Sequence, residues 1–83
     1  MELKLVKKEL KIDVYGKADV ILKFPTVEEH SLYAENLTKD NANLYAESES
    51  FLMKMGMKKT LVKELSLDDM LNIVQILTGQ KKI

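Results

Sequence analysis

Few residues in this chain are of a type that does chemistry, and their spacing limits what each can do. His30 is the only histidine and stands next to Glu28 and Glu29. Acid–base work or metal binding there needs further converging ligands, and with no second His and no Cys the imidazole reads as a surface or half-buried side chain. Asp68 and Asp69 could chelate a hard cation, but the spacing and glycine of a calcium loop are missing. Two acids at a helix start are explained by the positive end of that helix. Ser48, Ser50, Thr60 and Ser66 have no base in any recognisable pattern, and the three glycines are isolated, so no loop cradles phosphate. The expectation is a protein that is not an enzyme, with no catalytic residue, cofactor or metal.

Charge and composition narrow the partners. Thirteen basic and thirteen acidic residues cancel, so no net field draws the chain onto a phosphate backbone or an anionic membrane. Lys7-Lys8, Lys58-Lys59 and Lys81-Lys82 lack interleaved aromatics and read as solvated ends. Neither nucleic acid nor membrane is the expected partner. Without cysteine there is no disulfide, thiolate metal site or thiol nucleophile, which fits a reducing cytoplasm. No apolar run approaches the roughly 18 residues of a membrane helix, and Met1-Glu2-Leu3-Lys4 does not lead into a signal-peptide core. A cytoplasmic location is expected.

The elements follow from the change of apolar rhythm at Phe24-Pro25-Thr26. Before it, Leu10, Ile12 and Val14 alternate with Lys11 and Asp13, and Val20, Leu22 and Phe24 alternate again after a break at 15–19. This predicts two strands and a turn. A three-residue loop at Gly16-Lys17-Ala18 would pair Val14 with Val20, Ile12 with Leu22 and Leu10 with Phe24, leaving only Ile21 of the large apolar residues on the other face. Glu2–Lys8 is either a third short strand or a loose arm. After Pro25, Thr26 and Glu29 form a capping box. A stripe of Val27, His30, Ala34, Leu37, Asn41, Leu44, Ser48, Phe51 and Met55, widened by Tyr33, Tyr45 and Leu52, then predicts helices. Lys39-Asp40-Asn41 should break them into Val27–Lys39 and Ala42–Met55, one long bent helix being the alternative. Gly56 ends the second as a left-handed residue. Residues 58–64 give a helical turn with Leu61, Val62 and Leu65 inward, and Ser66 caps a last helix running from Leu67 to about Thr78, stopped by Gly79. The whole, residues 1–83, is one small α+β domain: an N-terminal β-hairpin against three to four helices.

Two apolar features exceed what folding asks of them. Met53, Met55 and Met57 crowd around Gly56, where methionine either fills core gaps or lines an adaptable surface. In the last helix Leu67, Met70, Leu71, Ile73, Val74, Ile76 and Leu77 occupy well over half the circumference. A domain of this size covers one side of such a helix, so central burial competes with a protein partner or self-association as homo-oligomer. Met53, Met57, Leu71, Val74 and Leu77 are the expected partner-binding residues.

The order of parts from Tyr15 to Lys82 resembles the small tail assembly chaperones of long-tailed phages and prophages. The likeness is carried by Lys23-Phe24-Pro25-Thr26, Glu29, Gly56, Leu65-Ser66, Asp69 and the Ile73–Leu77 helix. It implies a protein made in the host cell cytoplasm that binds the tape-measure protein, helps recruit tail-tube subunits, and uses no substrate, cofactor or metal. The alternative is a small dimeric regulatory or antitoxin-like module whose basic arm, Lys4–Lys11, contacts nucleic acid, against which neutral charge and the lack of a helix-turn-helix pattern count.

Overall fold

The computed structural model describes residues 2–82 and has the expected α+β arrangement, a two-stranded antiparallel hairpin followed by four helices. The elements are β1 (Glu9–Val14), β2 (Ala18–Lys23), α1 (Val27–Leu37), α2 (Leu44–Met55), α3 (Lys59–Val62) and α4 (Leu67–Leu77). Glu2–Lys8 forms no strand.

The strands pair with Val14 opposite Ala18, Ile12 opposite Val20 and Leu10 opposite Leu22. This corrects the expected register by two residues, the partner of Val14 being Ala18 and not Val20. The turn sits earlier, because Tyr15 and Gly16 both take positive φ, 53° and 73°, and the Lys17 amide donates to the Val14 carbonyl at 2.9 Å. Two positive φ values give the turn a twist that suits a hairpin. The slip is an even step, so no side chain changes face, and Leu10, Val14, Val20 and Leu22 are buried as expected while Ile21 is exposed.

Local capping sets the helix ends. The Thr26 hydroxyl accepts from the Glu29 amide at 3.1 Å and the Thr26 amide donates to Glu29 Oε1 at 3.0 Å, closing the capping box. Residues 27–55 form two helices. The first stops at Leu37, where the Thr38 hydroxyl donates to the Glu35 carbonyl. The second starts only at Leu44, because the side chain of Asn43 accepts from the Tyr45 and Ala46 amides. Gly56 is left-handed at φ 119°, and the Met57 amide donates back to the Leu52 carbonyl. Ser66 Oγ accepts from the Asp69 amide at the head of α4.

The core gathers the inner face of the hairpin with Phe51, Leu52 and Met55 of α2, Met57, Val62 of α3, and Met70, Ile73, Val74 and Leu77 of α4. On α1 the expected stripe is rotated: Val27 and Ala34 face solvent and Tyr33 faces inward. The cause is a long-range fit. The Tyr33 ring stacks at 4.6 Å on Phe51, and its hydroxyl shares a 2.9 Å hydrogen bond with the hydroxyl of the fully buried Ser48.

Candidate functional site

Of the polar residues singled out for chemistry, Ser48, Ser66 and Asp69 have side-chain hydrogen-bond partners within the fold. His30 is half-buried on α1, and among the described residues no three His, Cys, Asp or Glu side chains converge to hold a metal. Asp69 serves the head of α4 in a second way beyond charge. Its carboxylate accepts a 2.6 Å hydrogen bond from the Tyr15 hydroxyl, whose oxygen in turn accepts from the Ser66 amide at 3.1 Å. The Tyr15 hydroxyl first, and Ser66 after it, hold the Asp69 carboxyl below its ordinary range. Tyr15 thereby ties the hairpin turn to α4, a role that no local pattern around residue 15 announces. Glu29 is likewise lowered, chiefly by the Lys23 ammonium 2.8 Å away and then by the Thr26 amide.

What the fold presents to a partner is apolar surface, and its placement differs from expectation. Of the five expected contact residues, Met57, Val74 and Leu77 are buried, so they are not free to meet a partner in this protomer. The reason is the position of α4 beside α2 and under the hairpin, where its face of Met70, Ile73, Val74 and Leu77 closes the core. Met53 remains 41% exposed and Leu71 half-buried. Leu67, which was left out of the expected set, is exposed one turn before Leu71 on the same flank of α4. Leu44 and Tyr45 stand exposed at the start of α2. The i, i+4 spacing of Leu67 and Leu71 could have flagged this ridge, had the buried centre of α4 been known.

A second apolar group lies at the other end of the chain. Leu3, Leu5 and Val6 are 85%, 87% and 82% exposed on the arm that precedes β1. Two open clefts flank β1: one between Ile12, Val14 and Leu65, Ile73, the other between Phe24 and Ile76 with Lys8, Lys81 and Lys82 at its rim. No helix among the described residues is long and apolar enough to cross a membrane. No family model, curated protein or solved structure matches the chain.

Proposed function

We propose that this protein is a non-enzymatic holder of another polypeptide, working as a tail assembly chaperone of a long-tailed phage or prophage. In that role it binds the tape-measure protein and helps recruit tail-tube subunits in the host cytoplasm. The observation that supports holding is the Leu67–Leu71 ridge, apolar surface kept in contact with water along the flank of a helix whose adjoining face is core. Such a ridge receives the apolar face of a client helix, at about 1.5–3 kcal/mol for each large side chain fully withdrawn from water. Met53 adds an adaptable contact elsewhere on the helical layer. The phage assignment draws on the resemblance carried by Lys23-Phe24-Pro25-Thr26, Glu29, Gly56 and Leu65-Ser66.

The test is co-expression with the tape-measure protein encoded nearby, followed by copurification. The wild-type chain should hold it in solution. Leu67→Glu with Leu71→Gln should weaken retention about tenfold or more, with an unchanged circular dichroism spectrum and thermal midpoint. A gene neighbourhood without tail-tube and tape-measure frames, or retention indifferent to both substitutions, would sink this reading.

A further inference from the structure

One long edge of the hairpin is uncovered. Along β2 the Ile21 carbonyl lies 3.3 Å from where a Cβ on Gly56 would stand, so the end of α2 is set against that strand. β1 has β2 as its only paired strand, and among the described residues no backbone group outside the hairpin bonds to the backbone of residues 9–13. The Phe24 amide donates to the Lys8 carbonyl at 3.3 Å, which makes that pair hydrogen-bonded. Antiparallel alternation then turns the N–H and C=O groups of Leu10, Ile12 and Val14 toward β2, and those of Glu9, Lys11 and Asp13 outward. An edge of this kind is a template for another strand.

The side chains on that edge specify which strand. Lys7, Glu9, Lys11 and Asp13 run along the solvent face with alternating sign. A second copy laid antiparallel about a two-fold axis through Leu10 sets Glu9 against Lys11 and Lys7 against Asp13, each pairing occurring twice. These are the residues whose backbone groups point outward, so the charge match and the hydrogen-bond match fall in one register. The neighbouring registers that keep the hydrogen bonds fail. An axis through Lys11 opposes Lys11 with Lys11 and Glu9 with Asp13, and one through Glu9 opposes Glu9 with Glu9 and Lys7 with Lys11. On the inner face, Leu10 meets Leu10, and Val6, otherwise in water, reaches Val14 of the second copy beside the cleft walled by Leu65 and Ile73.

We propose that two copies of the chain join β1 to β1 as a continuous four-stranded antiparallel sheet, with Glu9 paired to Lys11 and Lys7 to Asp13. The isologous contact closes on itself, and it uses the arm that the lone protomer leaves unpacked.

Sedimentation velocity of the full chain over a concentration series tests this. A reversible shift from 9.5 kDa to twice that mass is expected. Lys11→Glu and Lys7→Glu should each raise the dissociation constant about tenfold or more, and Lys11→Gln should give an intermediate value. Lys11 faces the uncharged Ile21 in its own hairpin and Lys7 precedes β1, so neither substitution opposes a like charge across its own strand pair. Amide hydrogen exchange locates the contact, since the Glu9, Lys11 and Asp13 amides should become protected only where the dimer forms. A chain that stays monomeric overturns the proposal and leaves the edge to a foreign strand. So does a dimer whose affinity ignores Lys11→Glu and whose Lys11 amide exchanges freely.

Discussion

Tyr15 shows how one side chain can settle a backbone conformation that its own type disfavours. A non-glycine residue at φ 53° is strained by its Cβ, and Tyr15 is held there by a hydroxyl that donates to Asp69 and accepts from the Ser66 amide. Because those bonds favour the charged carboxylate, Asp69 binds fewer protons in the folded chain than in the unfolded one. Its contribution is therefore full above the ordinary value of 3.8 and is lost as the pH falls through the lowered value. Tyr15→Phe removes the largest cause of that shift. The variant should have a lower urea midpoint at neutral pH, and its deficit should shrink as the pH is taken below 3.8. A deficit constant with pH would mean that the hydroxyl acts through the Ser66 amide alone.

Among the elements, the junction of α2 with the hairpin depends most on a single residue. Gly56 turns left-handed to end α2 beside the Ile21 carbonyl of β2, so that a Cβ added there would stand only 3.3 Å from that oxygen, a crowded contact. Gly56→Ala should cost about 1–2 kcal/mol from the backbone alone, read as a lower midpoint in urea unfolding. The glycine, the Thr26–Glu29 box and the Ser66 cap were legible because each acts over a few neighbouring residues. The strand register and the rotation of α1 were not. Tyr15 finds Asp69 across 54 positions, and Tyr33 finds Ser48 across 15, so no window of local pattern contains both partners. Asn43 was missed for a smaller reason: Asp40 and Asn41 offered the same kind of side chain slightly upstream.

At the scale of the molecule, α4 divides into a side that builds the core and a flank that meets solvent. Val74 belongs to the first and Leu67 to the second. Val74→Glu would bury a charge with no partner, costing about 3–5 kcal/mol, a large share of what a chain of 83 residues has to lose. It should melt near or below room temperature, whereas Leu67→Glu should leave the thermal midpoint in place; equal tolerance of the two would place Val74 outside the core. The candidate surface was only partly readable because an apolar excess on a helix says that something covers it, not which side a neighbouring helix takes first.

The core beneath the hairpin is supplied by α2 and, beside it, by α4. Two strands alone do not hold together in water, so during synthesis the hairpin must wait for α4, which follows it by several elements, before its greasy face is shielded. Slow decoding between α2 and α4 would lengthen that wait, and nascent chains stalled there should be the ones most readily captured by cellular holdases.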